Sequence, residues 1–248
     1  MKPDWPAPFS VRSCITTRYE YLLSMISSRQ SLPSGGVGQE QCSARARRAL
    51  AQQLGLPYGI QWLRQVHGAT VVESRADGRI HNADACWTRH TGVACAVLTA
   101  DCLPVLFAAR DGSVVAAAHA GWRGLVRGVL PATIQALNAT APLMAYLGPA
   151  ICARHFEVDA PVKQAFLEAR LPGWDAARIE DCFAAGRSPG YFQADLFRLA
   201  RAQLVALGVS DIYGGSECTY GDVDRYYSHR RGQDRGRMAS VIWLAGSN

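Results

Sequence analysis

Residues Gly92 to Ala109 form one nearly unbroken apolar run, and its polar centre constrains the fold most. Within it, "LTADCLPVLF" (98–107) places Asp101, Cys102 and Pro104 among leucine, valine and phenylalanine. An unpaired carboxylate costs several kcal/mol or more to bury, roughly speaking, so Asp101 needs partners or a task. The run approaches membrane-span length, but a central acid, a helix-breaking proline and frequent β-branched residues exclude a span. Two buried strands flanking a functional turn fit instead.

The surrounding chain supports this reading. "GVACAVLTA" (92–100), "CLPVLFAA" (102–109) and "SVVAAAHA" (113–120) predict strands, and "RDGS" between the last two predicts a tight turn with Asp-Gly at its centre. "IQWLRQVHG" (60–68) and "ATVVES" (69–74) predict strands meeting at a hairpin or bend near Gly68. "ARARRALAQQLGL" predicts a helix from Ala44 that stops near Gly55 and Pro57. A second helix is expected from Trp122, kinked or split by Pro131. "LMAYLGPAI" (143–151) and "MASVIWLA" (238–245) predict strands, and helices are expected at 157–170 and 193–207. Strands outnumber helices and come in consecutive runs, so the class is α+β, as one domain over 1–248. Residues 1–57 are the least defined part of that domain, with a flexible Gly/Ser/Gln-rich loop near 28–43.

Composition narrows the partners. The 248 residues are 49% hydrophobic and 19% charged, enough for a large core and too apolar for disorder. A net charge of +6 suits an anionic ligand, but no basic run of nucleic-acid type occurs. After Lys2 no stretch of signal-peptide length follows, so cytoplasmic residence is expected, with no membrane partner. The eight cysteines are then expected as reduced thiols, and no Cys-x-x-Cys pair marks a zinc finger or redox motif.

Three residues at predicted strand ends are candidates for the chemistry, or else a small packed thiol and two hydrogen-bonded core histidines. His67, Cys102 and His119 supply two imidazoles and a thiolate, a donor set that holds Zn²⁺ and leaves one position for water. The same residues suit a Cys-His hydrolase, with Cys102 as nucleophile and a histidine as base, and spacing alone does not separate the two. "HAGWRG" (119–124) adds Arg123 and helix-start N–H groups that suit an anion, or else a plain glycine-rich connection. Asp84 reads as a turn or supporting group. His81, His90 and His155, and the cysteines at 14, 42, 86, 95, 152, 182 and 218, have no context that singles them out.

Six stretches together resemble the YfiH-type family: "WLRQVHGATVV", "NADACWT", "GVACAVLTADCLPVLFA", "VAAAHAGWRGLVRGVL", "LGPAICARHFEV" and "YYSHRRGQDRGRMASVIWL". Members of that family have been described as polyphenol oxidases (laccases), zinc-dependent purine nucleoside phosphorylases and peptidoglycan editing factors. The resemblance implies an α+β domain with β-sheets packed between helical layers. It also implies a metal site of His67, Cys102 and His119, with zinc expected and copper the lesser alternative. The implied activity is phosphorolysis of adenosine, inosine or guanosine to base and ribose 1-phosphate. Adenosine deamination and methylthioadenosine cleavage are further implied activities; precursor-editing amidase and copper oxidase are the alternatives. Arg18 in "TTR", Arg123 and Arg230 are the implied phosphate or substrate contacts. The chain departs from the family pattern after "TTR", over residues 19–43, where it lacks the usual Gly-Gly-Val-Ser-like turn.

Overall fold

The computed structural model describes residues 1–18, 44–75, 77–172, 174–232 and 234–246. The glycine-rich segment near 28–43 and the divergent stretch 19–43 lie outside the described residues. Two sheets form the centre. The first has four strands, β1 (Val11–Ile15), β15 (Met238–Leu244), β7 (Ala94–Thr99) and β2 (Ile60–Gln61), in that spatial order. The second has six, in the order β14 (Asp211–Gly214), β10 (Leu143–Leu147), β8 (Leu103–Ala109), β9 (Val115–Ala120), β6 (Ala85–Thr88) and β4 (Val71–Glu73).

The hydrophobic clusters show how these sheets are layered. Val97, Ile242 and Ile15 of the first sheet pack against Leu106, Val115 and Met144 of the second. The outer face of the first sheet, through Ala96 and Val241, covers Leu50 of the helix Ala44–Gln53. The outer face of the second, through Val105, Phe107 and Ala116, is covered by Val129 and Leu137 of the helix Val129–Leu137 and by Leu199 and Leu204 of the helix Leu196–Ala206. The result is an α+β fold with two sheets stacked between helical layers, as the resemblance implied. Strands buried on both faces read as continuous apolar runs, which explains the 92–109 stretch. It becomes β7, a polar turn and β8, and no helix among the described residues is long and apolar enough to cross a membrane.

The hairpin of β8 and β9 forms as the sequence predicts, with Gly112 in its turn at φ 71°. The bend at Gly68 is not a hairpin: β2 joins β7 in the first sheet, whereas β4 joins β6 in the second. The helix from Trp122 does split, but at Gly128, whose φ of 87° ends Trp122–Arg127 and starts Val129–Leu137. Pro131 then sits in the first turn of the second helix, where its missing N–H is harmless. Two predicted helices begin later than expected. Glu157–Asp159 and Tyr191–Ala194 pair as strands, and Asp159 and Asp195 then cap the helices Ala160–Glu168 and Leu196–Ala206 through side-chain bonds to Val162 and Arg198 N–H.

Candidate metal centre

Sheet topology brings the three expected ligands together. In the β8–β9 hairpin, Leu103 lies opposite Ala120 and Pro104 opposite His119. Cys102, one residue before β8, therefore falls beside Gly121, one residue after β9. A Cβ at Gly121 would stand 2.7 Å from Cys102 Sγ and 3.5 Å from His67 Cδ2, so a glycine is required there by contact alone. This gives "HAGWRG" a packing role: Gly121 lets the thiol in, and Gly124 sits against the His119 and Gly68 carbonyls.

β6 runs antiparallel to β9 and places Asp84 across from His119. The His119 backbone N–H donates to Asp84 O at 2.7 Å, and His119 Nδ1 lies 2.8 Å from Asp84 Oδ1. The fully buried Asp84 carboxylate also accepts the N–H groups of Val66 (3.1 Å), His67 (2.9 Å) and Gly68 (2.6 Å). One side chain thus fixes two of the expected ligands: it orients the His119 ring and wraps the backbone that presents His67. Gln65 assists by exchanging two 2.8 Å bonds with the Leu98 backbone on β7, and Arg127 Nη1 donates to His67 O at 2.7 Å. The backbone of His67 has φ 57°, a left-handed conformation that these bonds over-determine.

Asp101 answers its own cost of burial. Its Oδ1 accepts from Thr219 Oγ1 at 2.6 Å; its Oδ2 accepts from Ser228 Oγ at 3.0 Å and from the Arg230 N–H at 2.7 Å. Its carbonyl accepts the Ile151 N–H at 3.0 Å. These bonds hold Asp101 at φ 83° and so aim the next residue, Cys102. The carboxylate in the apolar run is the pivot of the turn that delivers the thiol.

The ligand atoms of His67, Cys102 and His119 all lie within 4.8 Å of one another, with His67 Nε2 3.9 Å from Cys102 Sγ and the two imidazoles edge to face at 4.8 Å. Burial works against a Cys102 thiolate, but His119 and then His67 outweigh it and bring the pKa down to about 6. His119 responds in the opposite sense. Burial disfavours its charged form, while Cys102 and Asp84 push it up to about 9. A polar cluster that stabilises a half-buried thiolate next to two imidazoles fits a divalent cation of zinc type, and a carboxylate such as that behind His119 is the usual outer support for a histidine ligand.

The three arginines have different surroundings. Arg123 is exposed, its guanidinium 4.4 Å over the Trp122 ring. Arg230 is exposed, donates to Glu157 O at 3.0 Å and lies over Phe156. Arg18 forms a 2.9 Å ion pair with Asp234 and lies over Tyr227. Arg231, which the sequence did not single out, pairs with Asp234 at 2.6 Å and donates to the Thr219 and Tyr220 carbonyls, locking the loop that bears Thr219.

The chain as a whole is similar to known proteins in sequence and fold. Residues 26–245 match the family model described as multi-copper polyphenol oxidoreductase laccase. The chain is 44% identical over 98% of both chains to a Pseudomonas aeruginosa protein named purine nucleoside phosphorylase. It is 40% identical to Escherichia coli purine nucleoside phosphorylase YfiH, over 98% of this chain and 97% of that one. The chain belongs to the YfiH/DUF152 family. The family's solved structures share its fold: a Neisseria meningitidis DUF152 protein superposes with a TM-score of 0.82 at 42% identity and 99% coverage of both chains. YlmD from Geobacillus stearothermophilus superposes at 0.78 with 27% identity, over 97% of this chain and 94% of that one.

Proposed function

We propose that this chain is a zinc-dependent purine nucleoside phosphorylase, converting adenosine, inosine or guanosine and phosphate to the base and ribose 1-phosphate. The observation that carries this reading is the convergence of His67, Cys102 and His119 on one Asp84-braced site, in a chain 44% identical to a named purine nucleoside phosphorylase. A zinc ion held by these three residues supplies Lewis acidity and an acidified water.

The protein's own groups do the rest. Asp84 keeps His119 in the tautomer that presents its other nitrogen to the site and holds the His67 loop in place. Asp101 sets the direction of Cys102. Arg123 and Arg230 meet the phosphate, since both are exposed and each guanidinium can chelate an oxyanion. Arg18 is held by Asp234 and joins them only by exchanging that partner. Phosphate attacks the anomeric carbon, the glycosidic C–N bond breaks and the departing base takes up a proton. Adenosine deamination and methylthioadenosine cleavage belong to the same proposal as secondary activities.

The copper reading is weaker on donor count. His67 and His119 are the two histidines of this centre, and multicopper catalysis requires a richer cluster. The test is a product analysis with inosine and adenosine, with and without phosphate, on wild type and Cys102→Ala. Phosphate-dependent release of base with ribose 1-phosphate, lost in the variant, is expected. Base release without phosphate, or turnover only of peptide-bearing wall precursors, overturns the reading.

A further inference from the structure

Among the described residues a second group of metal-ligating side chains stands apart from the first: Cys152, His155 and Cys218, all half-buried, with ligand atoms within 4.8 Å of one another. A single turn of 3₁₀ helix, Ala153–His155, brings the first two together: the His155 N–H donates to Cys152 O at 2.9 Å. A parallel bridge between Ala150 and Cys218 delivers the third, fixed by Ala150 N–H to Glu217 O (3.1 Å) and Thr219 N–H to Ala150 O (3.0 Å).

The geometry points to a second cation site, in which the thiolates of Cys152 and Cys218 and Nδ1 of His155 bind zinc or a similarly thiophilic divalent ion, with the fourth corner open to solvent. His155 Nδ1 stands 3.4 Å from Cys152 Sγ and 3.3 Å from Cys218 Sγ. Zinc–sulfur bonds of about 2.3 Å and zinc–nitrogen bonds of about 2.0 Å at tetrahedral angles set sulfur and nitrogen about 3.5 Å apart. One imidazole nitrogen carries either one proton or one lone pair, so it hydrogen-bonds one sulfur at a time. A cation between the three satisfies all of them. The ring is oriented by stacking on Tyr220 at 4.6 Å, and the Cys152 N–H donates to Cys218 Sγ at 3.4 Å.

The site joins the two loops that hold Asp101. Ile151, next to Cys152, donates its N–H to the Asp101 carbonyl; Thr219, next to Cys218, donates its hydroxyl to the Asp101 carboxylate. An ion binding Cys152 and Cys218 therefore clamps the supports of the turn that aims Cys102.

The test is metal analysis of protein purified without a metal-binding tag, in a phosphine reductant, followed by cobalt titration of the stripped protein. Wild type should hold two zinc equivalents; Cys102→Ala and Cys152→Ala should hold one each. Cobalt should give a thiolate charge-transfer band in Cys102→Ala that disappears in Cys102→Ala/Cys152→Ala and in Cys102→Ala/His155→Ala. A Cys102→Ala protein that binds neither zinc nor cobalt overturns the proposal, as does a Cys152–Cys218 disulfide that persists in the reductant. If Cys102→Ala keeps one equivalent and wild type has no more, this site stands and the first centre fails.

Discussion

Asp84 faces His119 across an antiparallel strand pair, and the same carboxylate gathers three N–H groups of the Val66–Gly68 turn. Removing its charge while keeping its shape tests that double duty. Asp84→Asn should weaken zinc binding by about 10–100-fold, the usual cost of losing an outer carboxylate behind a ligating histidine. Competition with a chromogenic chelator measures it. Unchanged affinity would show that His119 is oriented by packing alone.

Gly121→Ala places a methyl group 2.7 Å from Cys102 Sγ. Gly121 has an ordinary extended backbone, φ −63° and ψ 165°, so the substitution strains the site rather than the chain. Zinc content and phosphorolysis should each fall at least tenfold while the circular dichroism spectrum is retained.

Asp101→Ala strands the Thr219 hydroxyl, the Ser228 hydroxyl and the Arg230 N–H, and leaves a non-glycine residue without support at φ 83°. Each unserved buried donor costs about 1–3 kcal/mol. A loss of roughly 3 kcal/mol or more is expected from urea unfolding, given a left-handed backbone that itself costs about 1 kcal/mol. A loss below about 1 kcal/mol would remove Asp101 as the pivot of the turn.

The acid–base pairing of Cys102 and His119 sets a pH signature in metal-stripped protein. Burial raises the thiol's pKa, the imidazoles lower it, and the net value is about 6. A depressed acid stays ionised above its folded pKa, so Cys102 is thiolate from about pH 6 upward and is lost as a thiolate below it. Alkylation of Cys102 by iodoacetamide, read at its own peptide by mass spectrometry, should be half-maximal near pH 6 and flat above about pH 8. A midpoint at the ordinary cysteine value of about 8.5 would contradict the pairing.

Much of this centre was legible in the sequence. The apolar run with Asp101 and Cys102 at its heart announced two buried strands and a working turn, and His119 at the end of "SVVAAAHA" fell opposite it once the Asp-Gly hairpin closed. Asp84 was legible only as a supporting group, because its partners belong to segments 16 to 35 residues away. Of the two expectations at Gly68, hairpin or bend, only the hairpin is excluded: β2 and β4 enter different sheets, and local alternation carries no record of sheet membership. The strand Glu157–Asp159 and the last two residues of Tyr191–Ala194 fall within the stretches expected as helix for a related reason: each strand runs directly into a helix through an Asp cap. Cys152, His155 and Cys218 passed as ordinary. Cys-x-x-His spacing was the available signal, but the third ligand arrives from 63 residues beyond His155.

The most direct test of the account is zinc reconstitution. Wild type and Cys102→Ala are stripped with chelator, and inosine phosphorolysis is followed as zinc is returned. The account predicts that stripped wild type is inactive, regains saturable phosphate-dependent activity with zinc, and that Cys102→Ala never does. Full activity in the stripped protein, or equal recovery in Cys102→Ala, would contradict it.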